Sequence, residues 1–131
     1  MSQVSMVTGS CLCKQVTYEV KKLLGPIVFC HCSFCRKATS SAFSANALVM
    51  AADFILLSGE ENLVAYESSA GKHRYYCQNC HSQIYHTKDD MSDKLTLKLG
   101  TIDQCEQNLD DMLHEHIFHE DDFAWLKYEQ D

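Results

Sequence analysis

The stretch Cys30-His31-Cys32-Ser33-Phe34-Cys35-Arg36-Lys37 sets three thiols within six residues and follows them with two cations. Thiolate sulfur is soft and charged and binds zinc well, so in a reducing setting such a cluster points to metal before disulfide. Two further pairs lie outward from it, Cys11-Leu12-Cys13 upstream and Cys77-Gln78-Asn79-Cys80 downstream. The two-residue gap between Cys77 and Cys80 lets one turn direct both sulfurs at one ion. The one-residue gap between Cys11 and Cys13 predicts both side chains on the same side of an extended segment. Neither pair closes a tetrahedral site alone; their sum is the four ligands of a closed structural site. The central group then keeps three thiolates, and three protein ligands with one open position are the pattern of a catalytic zinc. Arg36 and Lys37 beside these thiols favour ionised sulfur. Counting alone leaves other divisions open, for Cys30 or His31 could complete a site with the first pair.

The rest of the chain bounds the reading. Its 131 residues predict one domain spanning 1–131. A content of 46% hydrophobic and 22% charged residues excludes wholesale disorder. The formal net charge of −7 argues against nucleic-acid binding driven by phosphate neutralisation. The opening Met-Ser-Gln-Val-Ser-Met-Val-Thr has neither a basic region nor an apolar core and does not read as a secretory signal. The apolar run at residues 47–52, broken by Asp53, falls far short of the ~20 residues that span a bilayer. These features predict a cytoplasmic protein without a membrane partner.

Val16, Tyr18 and Val20 alternate with polar residues, as do Leu95, Leu97 and Leu99, which predicts half-buried strands. Further short strands are expected at residues 27–30, 42–50, 62–68, 73–77, 83–87 and 114–118. Helical turns are expected near 33–37, 51–54 and 121–126. The fold class is therefore mainly β, with antiparallel sheets joined by short loops. From residue 103 onward ten acids face one base, Lys127, a charge run that reads as a solvated face. Cys105 stands apart and reads as a spare thiol. His114 and His116 fall on one side of a strand with His119 close by, where hydrogen bonding outweighs metal binding as an expectation.

Several segments together resemble one family. Gly9-Ser10-Cys11-Leu12-Cys13-Lys14-Gln15-Val16-Thr17-Tyr18 is similar to its opening signature, and Cys30 to Lys37 with Ser41-Ala42-Phe43 to its central motif. Cys77-Gln78-Asn79-Cys80, Leu99-Gly100-Thr101-Ile102-Asp103 and His116-Ile117-Phe118 before Trp125 complete the order. The family is that of the glutathione-dependent formaldehyde-activating enzymes, or S-(hydroxymethyl)glutathione synthase-like proteins, which includes centromere protein V. The resemblance covers residues from about 9 to 125. It implies a zinc-binding "β-tent" fold shared with Mss4-like proteins. It also implies a structural zinc on Cys11, Cys13, Cys77 and Cys80 and a catalytic zinc on Cys30, Cys32 and Cys35. The activity it implies is a carbon–sulfur lyase or synthase acting on a glutathione adduct such as S-hydroxymethylglutathione. Arg36, Lys37, Lys72 and Arg74 are then candidate partners for the tripeptide's carboxylates. The alternative is a non-catalytic, zinc-stabilised Mss4-like module that binds proteins. One departure is His81, where the family usually has glycine.

Overall fold

The computed structural model describes residues 6–118, 121 and 123–127. Strands β1 (Val7–Ser10), β2 (Thr17–Val20), β5 (Phe54–Ser58) and β10 (Ile102–Cys105) form a four-stranded antiparallel sheet in the order β10-β1-β2-β5. Strands β3 (Leu24–Cys30), β4 (Ser44–Met50), β6 (Leu63–Ser69), β7 (Lys72–Cys77), β8 (Gln83–Lys88), β9 (Lys94–Lys98) and β11 (His114–Ile117) form a second sheet. Its order is β11-β3-β4-β9-β8-β7-β6. The molecule is mainly β, as expected. One pairing departs from the antiparallel rule: β11 runs parallel to β3, with His114 opposite Ile27 and Ile117 opposite Cys30. A parallel neighbour needs a long return connection rather than a hairpin, and the chain between β3 and β11 supplies one.

Every strand expected from alternation is present within a few residues. β1, β5 and β10 were not expected. The first and last are four residues long and partly polar, and the continuous apolar run of β5 shows no period of two.

Alternation sorts the larger sheet into two faces. Ala47, Val49, Leu95 and Leu97 point to one side, joined by Ile84 past a register shift between β7 and β8, and there they pack with Val7, Val16, Tyr18 and Val20. Burying a valine, leucine or isoleucine side chain contributes about 1.5–3 kcal/mol each, so this seam contributes strongly to stability. The other face is polar although much of it is buried: Asn46, Arg74, His86 and Lys98 are each at most 5% exposed. A buried cationic face needs a functional account, since charge seldom leaves water unpaired.

Over it lies α1 (Ser33–Thr39), the expected short helix. Cys32 caps its start in an extended conformation, its sulfur accepting the Cys35 N–H. Ser40 ends it in the left-handed region (φ 54°), donating its N–H to the Arg36 carbonyl. No helix among the described residues is long and apolar enough to cross a membrane.

Candidate metal centres and the cavities beside them

All eight cysteines are free thiols. Seven fall into two groups, Cys11/Cys13/Cys77/Cys80 and Cys30/Cys32/Cys35, with the sulfurs of each group within 4.8 Å of one another. The four-and-three division reached by counting is therefore the spatial one. His31 does not join the first pair; its Nε2 shares a 2.8 Å hydrogen bond with His116 Nδ1.

In the four-cysteine group, Cys11 and Cys13 follow β1, while Cys77 ends β7 and Cys80 lies in the loop before β8. The first pair sits in a tight turn rather than on the extended segment expected. The Lys14 N–H reaches the Cys11 carbonyl (3.1 Å) and the Cys11 N–H reaches the Val16 carbonyl (3.0 Å), which bends the chain around the sulfurs. The second pair is built alike, with the His81 N–H on the Cys77 carbonyl at 2.7 Å. Each turn closes through a positive φ, 69° at Lys14 and 68° at His81. Backbone also serves sulfur directly, for the Val16 N–H donates to Cys11 Sγ at 3.3 Å.

Sulfur spacing tests whether an ion fits. A tetrahedral ion with bonds of about 2.3 Å to sulfur, as zinc makes, separates its ligands by about 3.8 Å. Cys13 Sγ lies 3.8 Å from Cys77 Sγ and 3.5 Å from Cys11 Sγ. The donor set and its spacing fit such a metal. Burial works against ionisation of Cys80, yet hydrogen bonds from the Ser82 side chain and backbone outweigh it and hold the thiol at about 5.

The three-cysteine group is assembled where β3 runs into α1. Cys30 ends the strand, Cys32 caps the helix and Cys35 occupies its first turn. Cys30 Sγ and Cys32 Sγ are 3.5 Å apart, again metal-compatible. Arg74 Nη2 approaches Cys35 Sγ at 3.8 Å. A hydrogen bond from Cys30 and the charges of Lys98 and Lys72 overcome burial and bring the Cys35 thiol down to about 3.

These sulfurs open onto a cavity of about 590 Å³ whose walls include Asn46, Lys72, Arg74, His86, Lys88, Ile117 and Phe118. The strand register explains the wall. Tyr66, Arg74, His86, Thr96 and Leu48 stand opposite one another across β6, β7, β8, β9 and β4, so all point to the same face. Lys98, opposite Asn46 in the next row, donates from Nζ to Asn46 Oδ1 at 2.7 Å. Burial pushes Lys98 down to about 8, against the opposing pull of the Cys35 charge. Burial and four neighbouring cations hold His86 far below the usual histidine range, so it is neutral there.

The structure distributes the candidate carboxylate partners unevenly. Lys72 and Arg74 line the triad cavity, and Lys37 lines a neighbouring one. Arg36 instead donates from Nε to the His31 carbonyl at 3.2 Å and lies over the Phe123 ring, 4.2 Å from its centroid. Lys88, Lys98, His86 and Asn46 escaped the sequence reading. Their signal was the period-two placement of polar residues on β4, β8 and β9, which carries meaning only once the register is known. Cys105 donates to the Gln107 carbonyl at 3.5 Å, outside both groups. His114 Nε2 pairs with the Leu109 carbonyl, and His119 lies outside the described residues.

Fold and site together define a β protein built around two clustered-cysteine sites suited to metal, one of four thiols and one of three that opens onto a cationic cavity. The chain belongs to the glutathione-dependent formaldehyde-activating enzyme family, whose model matches residues 6–121. It is 32% identical over 77 residues to an uncharacterized lyase of Schizosaccharomyces pombe. That match covers 59% of this chain and 54% of the relative, so the chain spans about half the relative's length. In fold it is similar to a crystal structure of a Rhodobacter sphaeroides protein, with a TM-score of 0.64 and 22% identity. That likeness covers 82% of this chain and 97% of the other.

Proposed function

We propose that the protein, acting as one domain in a reducing cytoplasm, is a carbon–sulfur lyase that makes or cleaves S-hydroxymethylglutathione or a close thiol adduct. The observation that carries this reading is the opening of the Cys30/Cys32/Cys35 group onto a cavity lined by three cations, the buried Arg74, the half-buried Lys72 and the exposed Lys88. A purely structural scaffold needs only the four-cysteine group and has no use for a second thiol cluster facing a cation-lined cavity. Family membership and the relative's name as a lyase support the same direction. Arg36 and Lys37 enter the proposal less strongly than Lys72 and Arg74, because of where their side chains lie.

Cys11, Cys13, Cys77 and Cys80 would hold a structural zinc, and Cys30, Cys32 and Cys35 a second one. Zinc bound by the triad supplies a fourth position that lowers the pKa of a substrate sulfur and fixes its place. Lys72, Arg74 and Lys88 bind the carboxylates of the thiol, offsetting locally the repulsion of a −7 chain. In synthesis the sulfur forms a bond to the aldehyde carbon, the carbonyl π pair moves to oxygen, and that oxygen takes up the proton lost by the thiol. Neutral His86 can hydrogen-bond this oxygen without adding another charge to the crowded wall. Cleavage runs the same events backwards.

Cys32→Ser tests the proposal. The four-cysteine site remains, so the variant should stay folded, lose about one equivalent of metal and bind glutathione at least tenfold more weakly. Calorimetry with elemental analysis reads both quantities. Equal glutathione binding by parent and variant, or a parent that never holds more than one equivalent under anaerobic preparation, would return the choice to the protein-binding scaffold.

A further inference from the structure

The two sheets leave four strands at their edges, β10 and β5 in the smaller and β11 and β6 in the larger. An edge strand presents unpaired N–H and C=O groups, and native proteins commonly guard it with charge. β10 carries Asp103, β6 carries Glu67, and β11 carries His114, Glu115 and His116. β5 reads Phe-Ile-Leu-Leu-Ser and has no ionisable side chain. Among the described residues it pairs with β2 alone.

The inward residues of β5 are spoken for. Phe54 stacks on Tyr18 and meets Tyr85 edge to face, both at 5.1 Å between centroids, and Leu56 packs against the core. Ile55 and Leu57 are left over, 41% and 55% exposed. The pairing with β2 shifts register between Thr17 and Tyr18, which bends the strand there but puts neither charge nor proline on it. Two branched apolar side chains beside an open backbone edge form a template for another strand.

The charges at the two ends of β5 identify that strand. Beside its start stand Lys21, 4.0 Å from Asp53, and the exposed Lys22. Beyond its end, after Gly59, come Glu60 and Glu61, both exposed. The start is net positive and the end net negative. A second copy laid antiparallel across a twofold axis sets each positive start against a negative end, and does so twice. A parallel copy would set like charge against like. With Leu56 on the axis, Ile55 stands opposite Leu57 of the second copy, a cross-strand apolar pair that stabilises a sheet. We infer that β5 is a self-association edge: two copies of this chain join β5 to β5 in antiparallel, merging their four-stranded sheets into one continuous sheet. No residue lining the triad cavity belongs to β5, so the inference stands apart from the thiol chemistry.

Sedimentation of the metal-loaded full chain across the micromolar range tests it. One strand pair makes a small interface, so a reversible dimer with a micromolar dissociation constant is expected. Ile55→Lys and Leu57→Lys supply the missing edge charge and should each weaken the dimer at least tenfold. Ala65→Lys, at an exposed position on the β6 edge, should leave it unchanged. Glu60→Lys with Glu61→Lys should also weaken it, and adding Lys22→Glu should recover part of the loss, a rescue that only opposed ends allow. Melting temperatures near the parent's establish that the variants are folded, and the charge variants stand alone if the β5 variants do not fold. A parent that stays monomeric throughout, a dimer indifferent to the folded variants of β5 or its ends, or one broken by Ala65→Lys overturns the inference.

Discussion

Tyr18 shows how much a single side chain can tie together. It is fully buried, stacks on Phe54 with ring centroids 5.1 Å apart, and shares a 2.7 Å hydrogen bond with the Thr101 hydroxyl. Gly9 lies directly beneath it, and a Cβ there would collide with the phenol and with the Thr101 carbonyl. Burial, only partly offset by the Thr101 bond, pushes the phenol up to about 12. An unfolded tyrosine titrates near 10, so the raised folded value contributes stability that is complete below pH 10 and is lost as pH rises toward 12. Two units correspond to about 2–3 kcal/mol. Denaturant midpoints measured from pH 9 to 12 should therefore fall more steeply for the parent than for Tyr18→Phe. Parallel curves would contradict the assignment.

At the scale of elements, the two cysteine turns are one device used twice, and each needs a residue in the left-handed region. The family's usual glycine at the second turn makes sense of His81: the position has φ 68°, which only glycine takes without strain. A side chain there costs about 1–2 kcal/mol, and glycine's added chain entropy costs about 0.5–1 kcal/mol. His81→Gly should thus raise the melting temperature by about 2–4 °C, the shift expected of a gain somewhat below 1 kcal/mol. A fall would mean that the His81–Tyr76 ring contact, at 6.3 Å, outweighs the strain. The strain at His81 was visible beforehand only through the family resemblance, which has glycine at this place, and not in the cysteine spacing itself. The strands of the core were legible in the residues themselves: Val16, Tyr18 and Val20 repeat every second residue. The site was half legible. Thiols at close spacing announce a metal group locally, but Lys88, Lys98 and His86 belong to the site only through pairings between strands distant in sequence. The register shift between β7 and β8 leaves no local mark at all.

Across the whole molecule, the four-cysteine group joins the two sheets, with Cys11 and Cys13 following a strand of the smaller and Cys77 and Cys80 at a strand of the larger. In small metal domains binding energy is part of folding energy. Cys77→Ser should therefore lose one equivalent of metal and also melt far below the parent or aggregate, in contrast to Cys32→Ser. Elemental analysis and a thermal scan check it, and an unchanged melting temperature with full metal content would refute the assignment. The same placement bears on the order in which the protein is built. The triad is contiguous, so its three donors leave the ribosome together and can be saturated at once. The four-cysteine group joins residues 64 apart in sequence, Cys13 and Cys77, and cannot close until the second pair has been synthesised. The open site is thus ready to compete for ions before the fold that shelters it exists, and an ion held there early would leave the later, structural clasp to draw on whatever metal remains.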